Sequence, residues 1–212
     1  MESIDNVGAG AIVAGMAAVI VKNKIYLSEI DGKIGDGDHG VNMAKGFAIA
    51  AENIAGKELT LDAALLVLSD VLMTQIGGSM GPLYGMAFAD MAETIAGKQT
   101  LDGPLIAAML RAGLDGVREI GEANVGDKTL LDSFSPAVDA FEAALAQGNS
   151  LALSLDKMKV AAENGRDSTI DMVAKVGRAA RLGERSRGAL DAGATSCCML
   201  LGALAEGIQS RI

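Results

Sequence analysis

Apolar positions recur along this chain at the three- and four-residue spacing of helices, almost from end to end. Residues 6–27 form an alanine-rich apolar segment that ends at Ser28 and Glu29. A second helix is expected over Val41–Ala55, stopped by Gly56. Thr60 has the character of an N-cap for a third, with Asp62 in its first turn, and this helix runs to about Ile76 before Gly77-Gly78. Pro82 suits the start of a fourth, ended by Gly97. Thr100 can cap a fifth, from Leu101 to about Ile120. A sixth follows over Leu131–Ala146, and Ser150 can cap a seventh that runs to about Lys175. The last, Thr195–Gln209, is apolar almost all round, as a buried helix is.

About eight helices with short connections imply antiparallel neighbours, so the expected fold is all-α, an up-and-down bundle or closed barrel filling residues 1–212 as one domain. Composition agrees. Half of the residues are hydrophobic, yet only 3% are aromatic, with no Trp and only 3 Pro, whereas Gly numbers 27. Small side chains suit close helix packing, and scarce proline leaves long helices uninterrupted. The glycines gather in the loops after the first, third, fifth and seventh helices. In an up-and-down arrangement those four loops share one end, which makes that end the candidate site.

Charge narrows the choice of partner. A formal net charge of −9 disfavours a phosphate-backbone binder, so no nucleic acid partner is expected. The apolar run Ala11–Val21 is too short to span a bilayer, and Glu2 and Asp5 stand where a signal peptide would be basic. No membrane association is expected, and the two adjacent cysteines, Cys197 and Cys198, suit a reducing, cytoplasmic setting as core fillers.

The stretch from Asp31 to Gly40, DGKIGDGDHG, carries the most chemistry. On one continuous helix Asp31 and Asp36 would stand about 140° apart. Glycines let the chain turn back, and in extended backbone Asp36 and Asp38 point the same way. Three carboxylates can therefore converge. Two of them about 4 Å apart repel by about 4 kcal/mol at an effective dielectric of 20, and a hard cation relieves that. All-oxygen ligands suit Mg²⁺ or Ca²⁺. An EF-hand fails, because counting from Asp36 puts Val41 and Phe47 where Gly and Glu are required. A solvated acidic turn is the plain alternative. His39, the only histidine, can serve as a base, a phosphate contact or a loop residue.

Two further loops fit an anion. Gly77-Gly78-Ser79-Met80-Gly81-Pro82 leads into a helix start, where free backbone N–H groups favour phosphate. The segment Lys175–Arg187 holds Lys175, Arg178, Arg181, Arg185 and Arg187 against Glu184, and guanidinium groups suit phosphate recognition. Gly126-Asp127-Lys128-Thr129 is not a Walker loop, because Asp127 separates Gly from Lys and no strand precedes it.

Taken in order, these motifs resemble the nucleotide-binding L subunit of dihydroxyacetone kinase. The resemblance rests on Asp31 with Gly35-Asp36-Gly37-Asp38-His39-Gly40 and Asn42, then Gly77-Gly78 with Gly81-Pro82-Leu83-Tyr84-Gly85. It continues through Gly126-Asp127-Lys128-Thr129 with Asp132, Gly177-Arg178 with Leu182 to Ser186, and Asp191 with Gly193-Ala194-Thr195-Ser196. It runs from about residue 6 to the C-terminus and implies an antiparallel barrel of eight helices with ADP or ATP and two Mg²⁺ ions at one end. By this resemblance Asp31, Asp36 and Asp38 bind Mg²⁺. His39, Gly40, Val41 and Asn42 line the phosphates with Ser79 and Met80, and Gly121, Leu130, Arg178, Asp191, Ala192 and Gly193 complete the nucleotide site. Arg178 and His39 are the catalytic candidates.

The implied reaction passes a phosphoryl group to a hydroxyl of dihydroxyacetone, or a related ketose such as erythrulose, held on a separate K-type subunit. The phosphoryl source is either ATP or a phosphotransferase-system protein. Met80 replaces a frequent serine and Ala192 a frequent proline of the family. A non-catalytic nucleotide-binding regulatory module is the alternative. A carboxylate-metal phosphate-ester hydrolase is weaker, for want of a nucleophile motif.

Overall fold

A computed structural model describes residues 2–212. Among them are nine α-helices, two 3₁₀ segments and two three-residue strands. The helices are α1 (Ala11–Lys22), α2 (Lys24–Ile34), α3 (His39–Ile54), α4 (Leu61–Gln75), α5 (Met80–Ile95), α6 (Gly103–Ile120), α7 (Leu131–Ala146), α8 (Leu151–Ser168) and α9 (Ala192–Gln209). The 3₁₀ segments, Thr169–Asp171 and Ala179–Ser186, lie between α8 and α9. The strands β1 (Ser3–Asp5) and β2 (Thr100–Asp102) pair antiparallel, with Ile4 opposite Leu101.

With α1 and α2 taken as one bent member, the helices close into a ring of eight. Each packs on the next, from α3 through α9, and α9 returns to α1. The all-α expectation holds, with the β1–β2 ribbon as a small addition at the far end from the glycine-rich loops. Leu, Met and Phe side chains such as Met43, Phe47, Leu65, Phe88 and Leu110 fill the interior. Phe47 meets Phe88 edge-on at 6.2 Å between ring centroids. Small residues set the helix spacing. A Cβ at Gly113 of α6 would lie 2.7 Å from Met91 Cγ of α5. One at Gly165 of α8 would fall 2.0 Å from the Asp132 carbonyl oxygen of α7.

Element boundaries differ from the expected ones in six places. The segment 6–27 does not form one helix. It starts at Ala11 and bends by 58° at Asn23, whose side chain donates to the Val19 carbonyl at 2.8 Å and competes with the helix's own bonding. The chain then stays helical to Ile34, so Asp31 sits on α2 and the true acidic turn is only residues 35–38. Met80, not Pro82, opens α5, with Pro82 accommodated in the first turn. Thr100 is a strand residue, and the cap of α6 is Asp102, whose Oδ1 accepts from the Leu105 amide at 3.0 Å. α8 ends at Ser168 rather than near Lys175. Asp191, not Thr195, opens α9, with its Oδ2 accepting from the Ala194 amide at 2.7 Å. In contrast Thr60 and Ser150 cap as expected, accepting from Ala63 and Leu153. Among the described residues no single helix is long and apolar enough to cross a membrane; the α1–α2 pair reaches that length only across its bend.

Asn6 anchors the far end. It is fully buried, donates to the Lys98 carbonyl at 2.7 Å and to Asp62 Oδ1 at 3.1 Å, and accepts from the Leu61 amide at 2.8 Å. Removing this side chain leaves a buried amide and a carbonyl without partners. Asn6→Ala is therefore expected to lower stability by about 2–3 kcal/mol in urea denaturation, while ligand affinity at the opposite end stays unchanged.

Candidate functional site

The four loops that follow α2, α4, α6 and α8 meet at one end of the barrel, as the placing of the glycines implied. They enclose an open cavity of about 520 Å³. Its lining takes in Asp31, Asp36, Asp38, His39, Asn42, Ser79, Met80, Gly121, Leu130, Arg178, Asp191, Ala192 and Gly193, which is nearly the whole expected set. Gly40 and Val41 are the exceptions. Gly40 is buried against α2, and the Val41 side chain is exposed outside the cavity. Both lie in the first turn of α3, where amides have no acceptor in their own helix, so any contact from them is through backbone N–H.

The acidic corner is built by a glycine contact and a short turn. A Cβ at Gly40 would lie 2.1 Å from the Lys24 carbonyl oxygen and 2.6 Å from Ser28 N, so only glycine lets α3 start against α2. Gly37 at φ +77° turns the chain between Asp36 and Asp38. Asp31 Oδ2 accepts from the His39 amide at 3.3 Å, which ties α2 to the start of α3. As a result Asp31, Asp36 and Asp38 each offer a carboxylate oxygen, all within 4.8 Å of one another. Asp36 also pairs with the Arg178 guanidinium, which crosses from the α8–α9 segment. Asp31 arrives from a helix rather than from the extended loop expected of it, and the convergence is the same.

A buried polar chain lies behind this corner. His39 Nε2 and Ser196 Oγ are 2.9 Å apart, Ser196 Oγ and Tyr84 OH 2.8 Å, and Tyr84 OH donates to the Gly193 carbonyl at 3.2 Å. It joins α3, α5 and α9 at their site ends. Burial holds the His39 imidazole below its ordinary pKa, against the opposing pull of Asp31. Burial likewise pushes the Tyr84 phenol up, so both rings are neutral near pH 7. Ser196 and Tyr84 carried no assigned role in the sequence. The signal they offered was a hydroxyl at helical spacing on an otherwise apolar face. The thiols of Cys197 and Cys198 are also pushed up by burial, as befits core fillers.

The same lining also holds apolar side chains, Ile34 beside the acidic turn and Met80, Leu83, Val117, Leu130 and Leu131 from α5, α6 and the start of α7. A charged corner together with apolar lining fits a ligand with a phosphate end and a planar apolar end. The loop before α7 is braced from within, since Asp132 accepts from the Gly126 amide at 2.5 Å and the Thr129 amide at 2.6 Å. Asp191 closes the cavity floor. Desolvation pushes its carboxyl up to about 7, with the negative charges of Asp132 and Asp31 adding to the rise and Lys128 opposing it.

A DAK2 domain matches residues 33–206 of the chain. The chain is 34% identical to the ADP-binding subunit DhaL of PEP-dependent dihydroxyacetone kinase 2 of Listeria innocua, over 99% of its own length and 98% of that protein. It is 38% identical to the corresponding ADP-binding subunit of Escherichia coli, over 85% of this chain and 86% of the other. The crystal structure of the dihydroxyacetone kinase of C. freundii superposes with a TM-score of 0.71 at 26% identity, over 93% of this chain and 34% of that one. The same kinase has been solved with AMP-PNP and Mg²⁺. This chain therefore belongs to the DAK2-domain family of dihydroxyacetone kinase L subunits.

The raised Asp191 carboxyl predicts a pH effect with a definite sign. A free carboxyl ionises near pH 4, whereas this one holds its proton to about pH 7 when folded. Its contribution is therefore most favourable below pH 4 and is lost progressively as pH rises to 7. Asn caps helices as well as Asp does. Asp191→Asn is expected to match the parent's urea midpoint near pH 4.5 and to exceed it by a margin that grows up to pH 7 and levels off above, measured without ligand.

Proposed function

We propose that this chain is the nucleotide- and Mg²⁺-binding subunit of a dihydroxyacetone kinase, or of a kinase for a related short ketose. In this reading it delivers a phosphoryl group to a substrate hydroxyl held on a separate K-type subunit. The carrying observation is the convergence of Asp31, Asp36 and Asp38 within 4.8 Å at the mouth of a cavity whose lining also carries apolar side chains. The ADP-binding subunits it resembles over nearly their whole length support the choice of ligand.

The donor set suits the metal. Three carboxylates supply hard oxygen ligands, and the open mouth leaves room for water and phosphate oxygens to complete an octahedron. Asp31, Asp36 and Asp38 would hold Mg²⁺, two ions in this reading, and the metal would offset phosphate charge. The protein's own residues do the rest. Arg178, on a segment beside the acidic corner, carries the positive charge that balances charge developing on a phosphoryl group in transfer. The amides of Gly40 and Val41 at the start of α3, and those of Met80 and Gly81 at the start of α5, would serve phosphate oxygens, while the His39 amide is already taken by Asp31. Gly78 at φ +80° lets the second of these loops turn into α5. His39 is engaged through Nε2 by Ser196, so its part is to hold the start of α3 in place rather than to take a proton at that nitrogen. Leu130 and Met80 would flank the adenine, with Asp191, Ala192 and Gly193 beneath the ribose side. The cavity opens to solvent at the acidic corner, where a substrate carried by a partner can approach. A relative named PTS-dependent supports a phosphotransferase-system protein as the phosphoryl source, and others are named PEP-dependent.

Calorimetry tests the reading directly. The parent is expected to bind ADP only with Mg²⁺ present, and Asp36→Asn to weaken that binding on the order of 100-fold, about 2.7 kcal/mol. Unchanged Mg·ADP affinity in the variant would overturn the assignment. Reconstitution with a K-type subunit, using ATP or a phosphorylated phosphotransferase protein and several short ketoses, reads donor and acceptor together. There Arg178→Met is expected to lower the transfer rate by about 10²–10³-fold, with a much smaller change in ADP affinity.

A further inference from the structure

Lys128 borders the site cavity, yet its ammonium is fully engaged elsewhere. Its Nζ donates to the carbonyl oxygens of Ser186 at 2.6 Å, Ala189 at 2.7 Å and Met172 at 3.2 Å. An ammonium has three N–H groups, and three acceptors use them all. The residue is 2% exposed and sits at φ +64°, a left-handed backbone that non-glycine residues adopt rarely and that here turns the side chain inward. The preceding residue holds the same segment from another side. Asp127 Oδ1 accepts from Lys175 Nζ at 2.9 Å, and the Asp127 carbonyl accepts from the Lys175 amide at 3.2 Å.

Two successive residues thus pin the segment 172–189 at both ends, at Met172 and Lys175 where it departs and at Ser186 and Ala189 where it returns. Ser186 adds a brace of its own, accepting from the Ala174 amide at 2.9 Å and donating to the Gly183 carbonyl at 2.7 Å. Between the pins the segment borders the cavity through Val176, Gly177, Arg178 and Ala179, and Arg178 reaches across to Asp36.

We propose that Lys128 is a positioning residue: it fastens the arginine-bearing strap 172–189 beside the site and so sets how long a bound nucleoside diphosphate stays. The proposal rests on the nucleotide reading given above. A ligand held between the strap and the acidic corner leaves when the strap lifts. Lifting it strips an ammonium and three carbonyls of their partners in a place shielded from water, so departure is slow while Lys128 is present. Direct phosphate binding by Lys128 is a different role and needs an N–H that the carbonyls already occupy.

The experiment follows release of the fluorescent probe N-methylanthraniloyl-ADP, loaded with Mg²⁺ and chased with excess ADP. In parallel, tryptic cleavage after Arg178, Arg181 and Arg185 is timed in the ligand-free protein. Lys128→Met, similar in length but without donors, is expected to release the probe at least tenfold faster and to be cut in the strap at least tenfold faster. Lys175→Met, which removes only the ammonium that pins the strap to Asp127, is expected to move both rates the same way by at least twofold, and it carries the test should Lys128→Met fail to fold. A folded variant that melts earlier but keeps the parent's release rate overturns the proposal, because its role is then structural alone. Faster release with unchanged strap cleavage also overturns it, in favour of direct phosphate contact. Failure of the parent to hold the probe at all removes the nucleotide reading together with this one, an outcome distinct from parental binding with unaltered variants.

Discussion

The start of α3 lies on the flank of α2 at a separation that no side chain at position 40 permits. The acidic corner follows from that contact. It brings Asp38 and His39 down beside Asp31, which sits one turn from the end of α2. The four-residue turn between the helices then has to place Asp36 in the same corner. A residue with a Cβ at this point would push α3 away from Lys24 and Ser28 and spread the carboxylates beyond the reach of a single cation. The barrel supplies the second half of the constraint. Because eight members close into a ring, the α2–α3 turn faces the loops before α5, α7 and α9 across a fixed gap.

Charge at this end is arranged in layers. Exposed Asp36 and Asp38 stand at the mouth, with Asp31 half-buried behind them. Asp191, half-buried like Asp31, is desolvated enough to raise its carboxyl to about 7, and the His39 and Tyr84 rings are neutral. Negative charge is thus greatest where water and ions have access and least where they do not. The neutral interior is joined by hydrogen bonds rather than by ion pairs, and its burial does not carry the desolvation penalty of charged groups. Asp132, by contrast, is buried and accepts two backbone amides, which keeps the loop before α7 in shape without a side-chain cation.

Much of this was legible in the residues. Helical periodicity and scarce proline pointed to the ring, and the spacing of Asp31, Asp36 and Asp38 announced the acidic corner. Thr60 and Ser150 cap where their side chains suggested, because each sits at a plain loop-to-helix entry. The misplaced boundaries arise where two local options compete. Asn23 reads as a helix residue, yet its amide takes a backbone carbonyl and the helix bends. Thr100 has cap chemistry, but pairing with Ser3–Asp5 draws it into a strand, a contact nearly a hundred residues away in sequence that local pattern does not contain. Asp31 was expected in a loop because Gly32 and Gly35 follow, and tertiary packing of Ile30 and Ile34 keeps that turn helical. The tie of Lys128 to three carbonyls was beyond reach of the sequence for the same reason: backbone acceptors carry no residue signature. The chain Tyr84–Ser196–His39 links three helices and becomes visible only once they are assembled.

The pairing of Arg178 with Asp36 has a consequence for how ligands arrive. On the proposed reading the guanidinium would compete for the place of a divalent ion, so a metal ion arriving alone would have to displace it from Asp36. A phosphate arriving alone would meet the converse obstacle, carboxylates whose repulsion is only partly neutralised. When both enter together, each provides the counter-charge that the other's arrival exposes. Thermodynamic linkage makes that mutual help equal in both directions. On that reading, the pair would couple the arrival of cation and anion.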